Sequence, residues 1–342
     1  MTLVIVALGA MSALGVGACG FEVPDVVQQT NDSGTSDVTI DDGGLVDARD
    51  ADADADVGLP TCNPNAPFAA PVLVAELADP NVSFESREPR LSADERTIYF
   101  SFGPAGGTFV LFYASRPSAS VPFGAKAAVA GLTGGSGSDN NITLSADGLV
   151  ALISSNRTSG ANNPKSSQIW STTRANLSAP FAAPQWAQNK FGSTSDDMDP
   201  FFIPDAGGLF YAAHIDYFDQ NVVKIKRWTY GGGTTYSAAT GPAFSPPNAA
   251  AKDRAPVLTP DELRIFYATN AAPDGGVVAG GNIWTASRPD RAVGWGTPSI
   301  VTELAGFGTY PRPGWVSANG CRLYLTSNKS GRNLIYLAQR GK

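Results

Sequence analysis

Apolar and polar residues alternate along this chain in short runs, and no stretch carries an apolar stripe at helical spacing. Period-two runs of five or six residues, rich in β-branched and aromatic side chains, read as strands. The most regular are Thr97 to Ser101, Leu149 to Ser154, Leu209 to Ala213, Arg264 to Thr269 and Arg322 to Ser327. Each follows a turn signal, and turn plus strand form one recurring motif. It reads Ser-Ala-Asp-Glu-Arg-Thr-Ile-Tyr-Phe from Ser92 and Ser-Ala-Asp-Gly-Leu-Val-Ala-Leu-Ile from Ser145. The others are Ile-Pro-Asp-Ala-Gly-Gly-Leu-Phe-Tyr from Ile203, Thr-Pro-Asp-Glu-Leu-Arg-Ile-Phe-Tyr from Thr259, and Ser-Ala-Asn-Gly-Cys-Arg-Leu-Tyr-Leu from Ser317. The anchors Asp94, Asp147, Asp205, Asp261 and Asn319 are spaced by 53, 58, 56 and 58 residues. A β period of that size means a propeller or a solenoid.

Three further strands accompany each motif. An inner strand precedes it, at Glu88 to Leu91, Asn141 to Leu144, Pro200 to Phe202, Ala255 to Leu258 and Gly314 to Val316. A third strand follows after a variable loop, at Val110 to Ser115, Gln168 to Thr173, Val222 to Trp228, Asn282 to Ser287 and Leu334 to Gln339; four of these close on Arg116, Arg174, Arg288 and Arg340. A fourth strand opens on an aromatic: Phe68, Phe123, Phe181, Tyr236 and Trp295, spaced by 55, 58, 55 and 59 residues. The first fourth-strand segment, Phe68 to Leu77, comes before any other strand, and the last repeat stops at its third strand. A ring closes this one-strand offset and removes exposed sheet edges, which an open array would keep. The expected fold is an all-β, five-bladed β-propeller spanning 61–342, with the N-terminal strand completing blade five.

The cysteines fit this ring. Cys62 falls at the level of the loop between the third and fourth strands of blade five, and Cys321 just after the motif turn of the same blade. Both positions lie at one end of one blade, so a disulfide is expected, with two free buried thiols as the alternative. A bond requires an oxidising compartment.

Charge is unevenly spread. The net −7 resolves into −10 over 20–60, where 11 acids face one Arg, and +3 over 61–342, where 20 acids face 23 bases. Without a basic stripe, nucleic acid is not an expected partner. Residues 1–19 carry no charge and form an apolar leader that ends in Val16-Gly-Ala-Cys-Gly20. This end resembles a bacterial lipobox, which implies lipidation of Cys19 and, since Gly20 follows it, the outer membrane. Residues 20–60 include Asp47-Ala-Arg-Asp-Ala-Asp-Ala-Asp-Ala-Asp56 and bury too little apolar surface to fold, so they read as a disordered tether. Calcium binding by this run is the alternative, but the run lacks the Gly turn of a calcium loop.

The (Ser/Thr)-(Ala/Pro)-Asp-x-x-x-(Leu/Ile)-(Tyr/Phe)-(Phe/Tyr) unit resembles the TolB-like β-propeller repeat, also described as WD-like, of bacterial envelope proteins. The resemblance covers nearly the whole chain after Pro60. It implies a periplasmic or surface-exposed docking module for envelope proteins, peptidoglycan-associated lipoproteins among them, and it carries over no catalytic residue.

Direct signs of chemistry are sparse. The single histidine, His214, is placed just beyond the motif strand of blade three, in a loop with Asp216, Tyr217 and Phe218. No Gly-x-Ser-x-Gly elbow, zinc set or phosphate loop accompanies it. Glu88, Asp139, Asp199 and Asp253 recur at the start of the inner strands and form a candidate ring at the channel mouth. Its readings are a cation or sugar site, a catalytic pair, or structural capping. Two loops break the repeat, at Asn156 to Ser167 and Asn270 to Gly281. The expected function is a non-enzymatic envelope lipoprotein, a monomer without cofactor or metal, that binds an envelope protein or a glycan. The alternative is a glycan-active hydrolase using the channel acids.

Overall fold

The computed structural model describes residues 62–341, except 136, 159–166, 190–196, 205, 216–222 and 246–247. The expectations for Cys19, the tether and Tyr217 lie outside the described residues. The first strand, β1 (Val72–Leu73), is followed by five groups of strands, one for each repeat. Blade one is β2 (Phe84–Leu91), β3 (Thr97–Pro104), β4 (Val110–Ser115) and β5 (Ala127–Ala128). Blade two is β6 (Asp139–Leu144), β7 (Val150–Ser155), β8 (Gln168–Thr173) and β9 (Gln185–Trp186). A short strand β10 (Gln188–Asn189) leads to blade three, which is β11 (Asp197–Phe202), β12 (Leu209–Ile215), β13 (Val223–Tyr230) and β14 (Thr235–Ala238). Blade four is β15 (Asp253–Leu258), β16 (Arg264–Ala271), β17 (Val277–Ser287) and β18 (Ser299–Ile300). The chain ends with β19 (Arg312–Val316), β20 (Arg322–Ser327) and β21 (Leu334–Gln339).

Each blade is an antiparallel sheet in sequence order, and blade five is completed by β1, which pairs antiparallel with β21 through Val72↔Leu337 and Leu73↔Tyr336. The innermost strands touch in a closed cycle, β2 to β6 to β11 to β15 to β19 and back to β2. The protein is therefore a five-bladed β-propeller closed by its own N-terminal strand. Cys62 and Cys321 form the expected disulfide, with Cα atoms 6.3 Å apart. In blade three, β10 adds a parallel strand outside β14 and covers that edge.

The motif is a turn followed by a core strand. In blade one the Ser92 hydroxyl donates to Asp94 Oδ1 at 2.6 Å, and the same oxygen accepts the Arg96 N–H at 3.0 Å. Ser145 with Asp147, Thr259 with Asp261, and Ser317 with Asn319 repeat this geometry. In these four blades the motif Asp or Asn is thus spent on its own backbone, as Asp and Asn are in tight turns. Beyond the turn, Phe100, Phe210, Tyr211, Phe266, Tyr267 and Tyr324 are fully buried. Each such aromatic contributes roughly 1.5–3 kcal/mol of apolar burial.

The fourth strands are shorter than expected. Only Val72–Leu73 of the 68–77 segment pairs as strand, with a bridge at Phe68↔Arg340 and a 3-10 turn at Ala75–Leu77. Prolines such as Pro67, Pro71, Pro122, Pro180 and Pro184 flank these segments and donate no ladder hydrogen bond. A side-chain staple replaces the missing ladder. The Arg that closes each third strand lies over the aromatic of the fourth, 4.1 Å from the Phe123 ring centroid for Arg116, 4.6 Å from Phe181 for Arg174, 4.4 Å from Trp295 for Arg288 and 3.9 Å from Phe68 for Arg340. The same guanidinium donates through Nε to a turn carbonyl, Glu95, Gly148, Glu262 or Gly320. Blade three breaks the rule, with Tyr230 making the backbone contact that Arg makes elsewhere.

The loop expected over Asn270 to Gly281 is largely strand. β16 and β17 extend past the blade as a ribbon, pairing Ala271↔Val277 across a turn in which the Gly275 N–H reaches the Ala272 carbonyl at 3.0 Å. The Ala-Pro-Asp-Gly-Gly sequence there is a hairpin signal, so the insertion folds onto the sheet instead of lying free.

Candidate functional site

The inner strands line the channel, and all five bend there. A bulge interrupts the register at Arg87/Arg90, Asp139/Asn141, Met198/Phe201, Arg254/Val257 and Pro313/Trp315. In three blades the bulged residue is left-handed and precedes a proline: Glu88 (φ 53°), Asp199 (φ 55°) and Ala255 (φ 49°). Such backbone costs about 1–3 kcal/mol and persists only where its surroundings impose it. Neighbouring blades impose it here. The freed Glu88 N–H donates to the Thr326 hydroxyl at 2.8 Å, and the Ala255 N–H donates to Asp199 Oδ2 at 3.2 Å.

The four candidate acids do not share one level. Counted back from the first motif residue, Asp139 and Asp253 stand six positions before Ser145 and Thr259, whereas Glu88 and Asp199 stand four before Ser92 and Ile203. The single acidic ring expected from the sequence is therefore corrected to two tiers, because a bulge sits between the levels.

In the outer tier every acid holds a partner from its own or the preceding blade. Asp139 binds Arg157, whose Nε lies 2.9 Å from Oδ1. Asp253 binds Lys224 of blade three at 2.8 Å, and burial pushes its carboxyl above the usual range against that ammonium. Asp197, the third member of this tier, accepts from the Tyr236 hydroxyl at 2.5 Å and lies 2.7 Å from His214 Nδ1. Burial first, then the Asp197 charge, drives the Tyr236 phenol well above its ordinary range. His214 is thus not beyond its strand, as expected, but inside β12 and buried against Trp228. The strand runs longer because His214 stays in the ladder on both sides, opposite Asp197 of β11 and Lys224 of β13.

The inner tier surrounds the axis. Glu88 is 3% exposed and bonds Arg312 through Oε1 at 2.8 Å, while its Oε2 has no hydrogen-bond partner. Burial raises its pKa, Arg312 opposes the shift, and the nearby Asp199 charge adds to it. Within reach of the charges of both Glu88 and Asp199 lies Arg90, which the sequence reading did not single out. Its guanidinium donates to the Gly314 carbonyl of blade five and the Pro200 carbonyl of blade three, the latter at 3.5 Å, and sits 5.2 Å from the Phe201 ring centroid. Blades one, three and five are thereby joined across the channel by one side chain, 2% exposed. Burial pushes this guanidinium down to about 10. The signal was present in the sequence: Arg90 occupies the position held elsewhere by Thr143, Phe201, Val257 and Trp315.

Among the described residues, no group of three or more His, Cys, Asp or Glu side chains is placed to hold a metal ion.

No protein-family model and no curated protein sequence matches the chain. Solved structures do. A putative glycoside hydrolase from Parabacteroides distasonis aligns at 12% identity with a TM-score of 0.52, covering 81% of this chain and 97% of its own. A glycosyl hydrolase from Bacteroides ovatus aligns at 12% identity and 0.51, covering 82% and 95%. TolB from Acinetobacter baumannii aligns at 15% identity and 0.43, covering 75% of this chain and 55% of its own. At these identities the likeness is one of fold alone.

Proposed function

We propose that this protein is a non-enzymatic envelope lipoprotein, lipidated at Cys19, whose TolB-like propeller works as a monomeric docking module for an envelope protein or a glycan. The observation that carries this reading is Arg90. Its guanidinium is bonded to the Gly314 and Pro200 carbonyls of two other blades, and Asp139, Asp253, Asp197 and Glu88 are paired with Arg157, Lys224, His214 and Arg312 in turn. A glycosidase needs two carboxyl groups facing a sugar in an open cleft. Acids already paired with neighbouring side chains support the scaffold reading of the channel, which leaves binding to the outer faces.

The test is a pull-down from envelope extract with the tethered chain, run beside a glycan array. A specific partner or glycan is expected. Recovery of nothing in both arms overturns the docking reading.

One observation favours the hydrolase instead. Glu88 holds its proton above the normal carboxylate range beside the second acid Asp199, as a general acid does. Release of reducing sugar from a polysaccharide panel, lost in Glu88→Gln and in Asp199→Asn, would establish that reading and displace the first.

A further inference from the structure

The blades carry a second, less regular ion pair between neighbours. In four of the five motif turns the fourth residue is left-handed, and in two of them it is Glu: Glu95 (φ 56°) and Glu262 (φ 57°). Each reaches back to the preceding blade. Glu95 binds Arg322 of blade five, with Nε at 2.9 Å, and Glu262 binds Arg227 of blade three at 3.2 Å. Arg322 is the fifth residue after Ser317, and Arg264 is likewise the fifth after Thr259. Arg264 of blade four should therefore meet a carboxylate from the turn of blade five. That turn has Gly320 (φ 72°) in the place of Glu95, and a Cβ on Gly320 would lie 3.7 Å from Arg264 Nη1.

Among the described residues, the hydrogen bonds of Arg264 go to neutral groups instead. Its Nη1 donates to the Pro64 carbonyl at 2.6 Å and its Nη2 to Asn65 Oδ1 at 3.0 Å. Arg340 stands close enough for the two like charges to repel, and burial first, then that repulsion, holds its guanidinium down at about 10 against the opposing charge of Glu303. Among the described residues neither Arg forms a salt bridge. The two open onto a cavity of about 210 Å³. Its lining includes Thr285 and Ser287 of β17, Ser299 of β18, and the Pro64–Asn65 segment close in sequence to the disulfide at Cys62. Thr285 and Ser299 are direct cross-strand neighbours, so their side chains share one face.

We propose that this cavity is a binding site for the carboxylate of a small acidic sugar, which takes the part at Arg264 that Glu95 takes at Arg322. A guanidinium fork matches a carboxylate in a planar, two-point contact. Serine and threonine hydroxyls beside it suit a hydroxyl-bearing ring. The cavity is smaller than the roughly 300–1,000 Å³ of drug-sized pockets, which fits a single sugar unit. The site lies outside the channel, so it stands whether or not a docking partner is found.

The test is calorimetric titration of the intact chain with glucuronate, acetate and glucose as probes. Glucuronate is expected to bind saturably and more tightly than acetate, and glucose not to bind. Gly320→Glu supplies the missing carboxylate from within, in a backbone conformation that Glu95 and Glu262 already adopt. It is expected to weaken glucuronate at least about tenfold, the loss of one charge-assisted contact, with the melting temperature unchanged or raised. Arg264→Gln is expected to weaken it by a similar factor. Glucuronate binding no better than glucose, or unchanged in Gly320→Glu, overturns the site. Acetate binding as tightly as glucuronate overturns its sugar character.

Discussion

Replacing the blade-five disulfide isolates the value of closing the ring. Cys62 and Cys321 are 259 residues apart, so the bond joins nearly the two ends of the propeller. In the chain-entropy model a loop of that length restricts the unfolded chain by about 19 cal/mol/K, or about 5.5 kcal/mol at 25 °C. A domain of roughly 280 residues unfolds with an entropy of about 590 cal/mol/K near its midpoint, so this stabilisation corresponds to about 9 °C. The variant is Cys62→Ser with Cys321→Ala, which keeps the buried position 321 apolar. Thermal unfolding by circular dichroism without reductant should show the double variant melting about 9 °C below the parent. Adding reductant should bring the parent down to the variant and leave the variant where it is. A fall of less than about 2 °C would refute the loop-closure reasoning. So would a parent insensitive to complete reduction, since the stabilisation would then come from packing.

The Arg staple predicts that Arg174→Lys costs about 1–2 kcal/mol, because a lysine keeps the charge but loses the flat stack on Phe181 and the Nε bond to Gly148. Urea midpoints would show it, and a change under about 0.3 kcal/mol counts against the staple. Glu262, buried among Arg227, Arg288 and the Tyr211 hydroxyl, should cost about 3–5 kcal/mol when changed to Gln. Glu262→Gly relieves backbone strain of about 1 kcal/mol yet should still be destabilised, and a glycine variant more stable than the parent would sink the clasp. Glu88 holds its proton more tightly folded than unfolded, so its contribution is fullest around and below its ordinary value of 4.5 and declines as pH rises through its raised pKa. Asp253 acts in the same direction. Urea midpoints from pH 4 to pH 8 should therefore fall less steeply in Glu88→Gln, and an unaltered slope would remove Glu88 as a cause.

The blade count, the ring and the closing strand were legible because they rest on local chemistry repeated five times. A Ser-x-Asp turn caps itself through atoms two residues apart, and a buried strand shows its period within six residues. The offset between the motif series and the aromatic series then left one way to close the sheet edges, and that placed Cys62 beside Cys321. Strand ends were less legible. β16 and β17 ran on into a ribbon, and His214 fell inside β12, because pairing with a neighbour decides where a strand stops.

The channel was the least legible part. Glu88 and Asp139 both read as opening inner strands, but they stand four and six positions before their motifs, and the bulge between those positions puts them on different tiers. Arg90 looks like any charged residue on a strand until blades three and five bring Pro200 and Gly314 to its guanidinium. The stacked pairs Arg116–Phe123 and Arg174–Phe181 were each visible as separate periodic series, and only the fold joined them. By itself the sequence determined what each repeat does within its own backbone. The tertiary structure decided which charges meet, because ion pairs such as Arg322–Glu95 span blades, and a chain that returns on itself puts residues more than two hundred positions apart within one hydrogen bond.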